Sequence, residues 1–184
     1  MAINQGLGNE LIKTDIFAKV DLHEGMNVGD LGCGNLGYVS LPAARIVGAN
    51  GMVYAVDILK SALESVAGRA RQAGLNNLKT VWSNLEIIGA TKVPAESLDV
   101  VFVVNVLFQS DKDEQIIKES FRLLKSGGKL LIVDWDQVSA PFGPPMADRA
   151  KKEDIKLFAQ SAGFQFQEEF EAGQYHYGLV FLKS

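Results

Sequence analysis

The chain has 184 residues, enough for one domain with a sizeable buried core and too few for two full domains. Its composition, 47% hydrophobic and 22% charged, is that of a globular protein, and a formal net charge of -4 offers no cationic field to a nucleic acid. One cysteine, Cys33, and two histidines, His23 and His176, exclude an internal disulfide framework, a multi-thiolate metal site and a histidine-rich metal centre.

Residues 1–6 lack the basic start and apolar stretch of a signal peptide, and no apolar run reaches the ~18 residues of a membrane span. The expectation is a soluble, cytoplasmic protein. Short apolar runs then alternate with helical-period segments, the pattern of βαβ units with a parallel sheet covered on both faces. Residues 26–31 form the first strand, which ends in a glycine cluster, and Leu41, Ala44 and Arg45 follow at helical spacing. Asn50-Gly51 turns the chain into a second strand over residues 52–56, which stops at Asp57. Leu59, Leu63, Val66, Ala67 and Ala70 lie on one helical stripe, with Gly74 as its stop.

Residues 78–82 read as a third strand, and residues 98–104, the most apolar run, as a buried central one. Ser110 with Asp113 suggests a capping box; Ile117, Phe121 and Leu124 mark a helical face; Ser126-Gly127-Gly128 ends that helix before a strand over residues 129–133. Residues 136–149, with Pro141, Gly143, Pro144 and Pro145, read as a rigid loop. A last helix carries Ile155, Phe158, Ala159 and Ala162 and closes at Gly163. Ala172-Gly173 then separates two antiparallel strands, the second with Tyr175, Tyr177, Leu179 and Phe181 on one face.

Asp30-Leu31-Gly32-Cys33-Gly34-Asn35-Leu36-Gly37 lies between the first strand and the first helix, where a doubly wound sheet binds ligands beyond the carboxyl ends of its strands. Gly32 and Gly34 let the backbone turn sharply against a ligand, and the helix that follows offers free N–H groups to an anionic end. Asp57 closes the second strand, where a carboxylate accepts hydrogen bonds from the two hydroxyls of an adenosine ribose. Capping of the next helix is the other reading of Asp57.

Nearly the whole chain resembles the class I S-adenosylmethionine-dependent methyltransferases, of the small kind related to ubiquinone and menaquinone biosynthesis. Residues 25–34 resemble the family's first motif, residues 53–57 the segment ending in the ribose-binding acid, residues 98–102 the fourth strand, and Leu123-Leu124-Lys125-Ser126-Gly127-Gly128-Lys129-Leu130 the entry to the fifth. Residues 143–149 and Tyr175-His176-Tyr177-Gly178 also resemble segments of these small enzymes. The resemblance implies a Rossmann-like three-layer αβα sandwich, a seven-stranded, mostly parallel sheet with a C-terminal antiparallel hairpin, and S-adenosylmethionine across the first loop. It places Asp30 near the methionine amino group, Gly32, Cys33, Gly34, Asn35 and Gly37 along the loop, and Asp57 on the ribose. Ile58 falls against the adenine, Ser83, Asn84 and Leu85 at the adenine corner, and Asn105 near the methionine end. The loop carries one residue more than the family's usual spacing between its second and third glycines. Asn84 stands where an acid is common, and Phe108-Gln109 where histidines often follow the fourth strand.

A methyl on sulfonium is already an activated electrophile, so the protein mainly aligns an acceptor and no covalent enzyme intermediate is needed. Cys33 therefore reads as a small residue filling the loop. Asp134 and His176 are the candidates for a base, should the acceptor need one. One domain over residues 1–184 is expected, with residues 1–24 as a helical lid and residues 136–149 as a loop, both folding over the cofactor. The acceptor is expected to be a small molecule, with no metal. Two other readings stand beside this one: a nicotinamide-dependent oxidoreductase, since Gly32, Gly34 and Gly37 also satisfy the dinucleotide fingerprint, and a non-catalytic S-adenosylmethionine-binding module.

Overall fold

The computed structural model describes residue 12 and residues 14–184. Among them seven strands form one sheet in the order β3-β2-β1-β4-β5-β7-β6: β1 Asn27–Leu31, β2 Met52–Asp57, β3 Leu78–Trp82, β4 Leu98–Val104, β5 Leu124–Trp135, β6 Phe164–Glu171 and β7 His176–Lys183. Four helices cover it among the described residues: α1 Ser40–Val47, α2 Lys60–Gln72, α3 Asp113–Leu123 and α4 Lys152–Ala162. Strands β1 to β5 pair in parallel, and β7 runs antiparallel between β5 and β6. This is the expected αβα sandwich with its C-terminal hairpin.

Alternation along the strands divides the apolar side chains between two layers. Val28, Val53, Phe102 and Val133 face α1 through Ala43, Ala44 and Val47, while Leu63 and Val66 of α2 close on Ala55. Val101, Val103, Leu130 and Ile132 face α3 and α4 through Ile116, Ile117, Ile155 and Ala159. Because β1 has β2 on one side and β4 on the other, the crossovers diverge at β1. The divergence opens a crevice at the carboxyl ends of β1 and β4.

Two local expectations are corrected. Ser110 forms no capping box: Lys112 is the N-cap of α3 without a side-chain cap, and Ser110 Oγ instead accepts from Lys112 N–H and donates to Glu86 Oε1. Helix α3 stops at Leu123, and β5 starts at Leu124, ahead of Ser126-Gly127-Gly128. Those residues lie inside the strand, at a register shift opposite Leu98 and Val100, with Gly127 at φ +79°. In β7, Tyr177, Leu179 and Phe181 share one layer as expected, and Val180 is buried in the other.

Of the expected lid over residues 1–24, residues 1–11 and 13 lie outside the described residues. The described part contains a three-residue 3-10 turn, Ala18–Val20, rather than an α-helix, with Ile16 and Val20 buried and Phe17 edge-on to Phe102 at 5.6 Å.

The connection from β3 to β4 is pinned from beneath by Glu119 of α3, which is fully buried. Its carboxylate accepts from Gly89 N–H (2.8 Å), Thr91 N–H (3.2 Å) and the guanidinium of Arg122 (2.8 Å twice). Burial works to raise its pKa, but these hydrogen bonds, led by Arg122, hold it below the ordinary carboxylate value. Removing one member of such a pair strands the other, so Glu119→Ala should lower unfolding stability by about 3–5 kcal/mol in urea titrations. A depressed folded-state pKa gives stability present above about pH 4.5 and lost as pH falls through the lowered value. Glu119→Gln should therefore show a shallower loss of stability on acidification.

Candidate functional site

Beyond Leu31 the chain stays against β2, because Gly32 and Cys33 both donate N–H to Val56 O, at 2.8 and 3.0 Å. Gly32 has φ +83°, and a Cβ there would lie 2.4 Å from Val106 Cγ2, so this close approach between the ends of β1 and β4 requires glycine. Gly34, also at positive φ, donates N–H to Asp57 Oδ2 at 2.9 Å, and Leu59 donates to Asp57 Oδ1 at 2.9 Å. Asp57 thus ties the glycine loop to the turn before α2, whose N-cap is Leu59 with no side-chain cap. A carboxylate accepts up to about four hydrogen bonds, so these two leave capacity for a ligand's hydroxyls.

The rest of the loop divides by contact. Cys33 packs beside Ala55, Leu63 and Val66, and burial, with Asp30 and Asp57 nearby, pushes its thiol pKa up. It is held as a protonated apolar filler, not a nucleophile. Asn35 is exposed. Gly37 faces Leu41 and Val66, where a Cβ would come within 3.2 and 3.3 Å, so the extra loop residue leaves Gly37 packing helices together.

Asp30 is buried at the carboxyl end of β1 and accepts from Ser40 Oγ at the start of α1. Burial pushes its pKa up to about 7; Ser40 opposes the shift and the Asp57 charge adds to it. Asn105, just beyond β4, is buried at φ +56°, in the left-handed region that Asn tolerates and most residues do not. Its N–H donates to Val133 O at 2.8 Å and its carbonyl accepts from Gln109 Nε2 at 2.8 Å. Asp134 supports the same turn, accepting from Leu107 N–H at 2.9 Å and from Trp135 N–H at 2.8 Å. Burial pushes Asp134 up to about 7 against those backbone hydrogen bonds.

At the outer end, Ile58 is 52% exposed, and Trp82 Nε1–H donates to its carbonyl at 2.9 Å. The corner after β3 is less open than the sequence suggests. Ser83 Oγ pairs with Thr91 Oγ1 at 3.0 Å inside the protein, Leu85 joins the main core, and Asn84 Oδ1 accepts from Glu86 N–H at 2.9 Å. The side chains of Ser83 and Leu85 are thus turned into the protein.

Arg149 is the residue that sequence reasoning passed over. It is buried, and its guanidinium donates to the carbonyls of Asp136 and Val138 (2.7 Å each) and Pro144 (3.1 Å, twice), clamping loop 136–149 shut on itself. It also lies over the Trp135 ring at 5.4 Å. A lone arginine after a proline-rich loop was the available signal. His176, opposite Trp135 in the β5–β7 pair, is buried at 4.4 Å from that ring, and burial, with Arg149 nearby, pushes its pKa down to about 4. On the same layer Thr14, Ile16, Tyr38 and Val104 line a cavity of about 220 Å³ at the carboxyl end of β4.

A methyltransferase-domain family model matches residues 22–174. The chain belongs to the methyltransferase-domain family. This methyltransferase domain is 29% identical over 124 residues to a probable cobalt-precorrin-6B C(15)-methyltransferase of Saccharolobus solfataricus, covering 67% of the chain and 59% of that protein. It is 28% identical over 120 residues to the demethylmenaquinone methyltransferase of Listeria monocytogenes, covering 65% of the chain and 49% of that protein. Its alignments thus span about half to three fifths of those relatives' length. A S-adenosylmethionine-dependent methyltransferase from Aquifex aeolicus superposes with TM-score 0.83 at 22% identity over 99% of this chain and 100% of the other. A putative type 11 methyltransferase from Sulfolobus solfataricus gives 0.72 at 25% identity over 92% and 90%. Among the described residues no cluster of three or more His, Cys, Asp or Glu is placed to hold a metal ion, and no helix is long and apolar enough to cross a membrane.

Two variants test this geometry. Gly32→Ala combines a left-handed φ with a clash into Val106 and should cost about 2–4 kcal/mol of unfolding stability in urea. Asp30 has a raised folded-state pKa, so its contribution is full below about pH 3.8 and lost as pH rises through about 7. Asp30→Asn should therefore gain about 3 °C or more in melting temperature over the parent at pH 8, and much less at pH 4.

Proposed function

We propose that the chain binds S-adenosylmethionine in the crevice at the carboxyl ends of β1 and β4 and directs its methyl group to a small-molecule acceptor. The observation that carries this is the Asp57 carboxylate drawn against the Gly34 N–H, in a chain of the methyltransferase-domain family. The demethylmenaquinone and precorrin methyltransferases among its relatives, which act on small molecules by their names, support the acceptor class.

The residues present fit this cofactor. Gly32 lies where a Cβ could not be placed, so backbone is what borders the crevice. Asp57 retains acceptor capacity for the two ribose hydroxyls, and Ile58 presents an exposed apolar surface for the adenine. Asp30, beside Ser40, suits the methionine ammonium: a nearby cation would favour its charged form and offset the burial that raises its pKa. Asn105 would approach the methionine end, with Cys33, Gly34 and Asn35 lining the loop and Asn84 at the adenine corner.

When bound, the cofactor supplies a methyl group already activated on sulfonium, so the protein's task is alignment and exclusion of water. Of the two candidate bases, Asp134 has both oxygens engaged by backbone N–H groups and no exposure. We assign it the positioning of the 105–109 turn. His176 is neutral at pH 7, with a pKa too low for an efficient base. The mechanism assigned here therefore rests on orientation, not on proton abstraction by the chain.

The nicotinamide reading is not favoured, since the family match and the relatives are methyltransferases. Calorimetry should show S-adenosylmethionine binding and no NADH binding. Asp57→Ala, which removes the ribose acceptor and the loop tie together, should weaken S-adenosylmethionine at least about tenfold. Incubating the protein and cofactor with cell extract should yield S-adenosylhomocysteine and a metabolite heavier by one methyl group. Cofactor binding without such a product would instead favour the non-catalytic module.

A further inference from the structure

The cavity of about 220 Å³ lies between the end of the glycine loop, the end of β4 and the N-terminal segment. Val104, the last residue of β4, precedes Asn105, and Tyr38 and Val39 precede Ser40, the partner of Asp30. The cavity therefore adjoins the groups assigned to the methionine end. Its N-terminal wall is tied to the far side of the sheet: Thr14 Oγ1 donates to Glu171 O at 2.7 Å, and Lys19 pairs with Glu168 and lies over the Phe170 ring at 4.8 Å. Phe17, between these ties, sits edge-on to Phe102. Such a wall is largely set before a ligand arrives, which lowers the ordering cost of binding.

The lining sorts acceptors by charge. Ile16, Val39 and Val104 are apolar, Phe17 and Tyr38 are aromatic, and Asp15 is the one charged member among the described residues. Asp15 Oδ1 accepts from Phe17 N–H at 3.1 Å and Ala18 N–H at 3.2 Å, which holds the carboxylate in place and leaves acceptor capacity on it. An anionic nucleophile, thiolate or phenolate, is repelled by this carboxylate. An ammonium pairs with it but has no lone pair until it gives up a proton. Neither candidate base, Asp134 or His176, belongs to this lining; the His176 ring is buried on β7, with both nitrogens unpaired among the described residues. An uncharged atom with a lone pair and no hydrogen enters the apolar lining without a charge to desolvate. It turns positive only as the methyl arrives, and the carboxylate and the aromatic rings then stabilise that charge.

Resting on the methyl-transfer reading above, we propose that this cavity is the acceptor site and that the accepting atom is uncharged and carries no hydrogen, as in a pyridine-type ring nitrogen or a thioether sulfur. The acceptor's lone pair forms the new bond to carbon, the methyl–sulfur bond breaks with its pair left on sulfur, and the positive charge passes from donor to acceptor. No proton is released, so none has to be removed. Asp15 stabilises the developing cation. The cavity is small beside the ~300–1,000 Å³ of pockets for drug-sized ligands, so it takes a single small ring or a thioether end.

Binding is read by NMR at the methyl groups of Ile16, Val39 and Val104, with N-methylpyridinium as the product-like cation and toluene as its uncharged counterpart. N-methylpyridinium should shift these methyls and bind more tightly than toluene, with or without S-adenosylhomocysteine. Asp15→Asn keeps an oxygen for the two N–H groups and removes the charge. It should weaken N-methylpyridinium about fivefold and leave toluene unchanged, and added salt should erase the difference between variant and parent. With S-adenosylmethionine, pyridine should yield N-methylpyridinium, or tetrahydrothiophene its S-methyl sulfonium, without acidifying a weakly buffered solution; the productive arm names the accepting atom. Equal affinity for N-methylpyridinium and toluene, unaltered affinity in Asp15→Asn, turnover of neither probe, or acid released in step with product would overturn the proposal. If S-adenosylhomocysteine fails to bind while the Asp15-dependent cation response stands, the methyl-transfer reading falls alone. If it binds and that response is missing, the acceptor site falls alone.

Discussion

The carboxylate of Asp57, shared between the N–H groups of Gly34 and Leu59, joins three pieces of chain that no local rule brings together: the loop after β1, the end of β2 and the turn into α2. A buried anion is tolerated there because both oxygens face backbone donors. Parallel pairing of β1 with β2 sets their carboxyl ends side by side, and the switch to β4 on the other flank leaves the space above them open. The glycines are then needed because side chains at those points would fill it, as the Gly32 contact with Val106 illustrates.

Buried carboxylates do different work according to what surrounds them. Glu119 meets a guanidinium and backbone N–H groups and is stabilised as an anion that pins the β3–β4 connection. Asp30, met by the hydroxyl and N–H of Ser40 beside the Asp57 charge, is left with burial as the dominant influence, which pushes its pKa up to about 7. Ionising it is a cost to the folded protein. Asp134 also titrates near 7, although its oxygens hold the turn that carries Asn105 in its left-handed conformation. Acids of one chemical type thus divide into a structural pin, a weakly partnered buried group and a turn support.

Late parts of the chain add a folded loop at the end of β5. Arg149 folds loop 136–149 around its own guanidinium, and the loop brings Phe142 to Trp135 and Tyr175. The glycine-loop contacts lie beyond β1 and β2 and the aromatic contacts at the ends of β5 and β7, with β4 between them.

Periodicity and turn chemistry made β1 to β4, α1, α2 and α4 legible within a residue or two, because their apolar spacing and terminating glycines act over one or two turns of chain. The glycine loop and Asp57 were legible for the same reason, as a strand-loop-helix motif followed by an acid at the next strand end. Ser110 and the Ser126-Gly127-Gly128 segment misled, since each has a local reading that longer-range partners override: Glu86 takes the Ser110 hydroxyl, and pairing with β4 draws the glycines into β5. The inward turn of Ser83 and Leu85, the Arg149 clamp and the unpaired ring of His176 were decided by tertiary structure alone. Each depends on which groups from distant segments share a buried space, and a linear pattern carries the chemistry of those groups but not their distances.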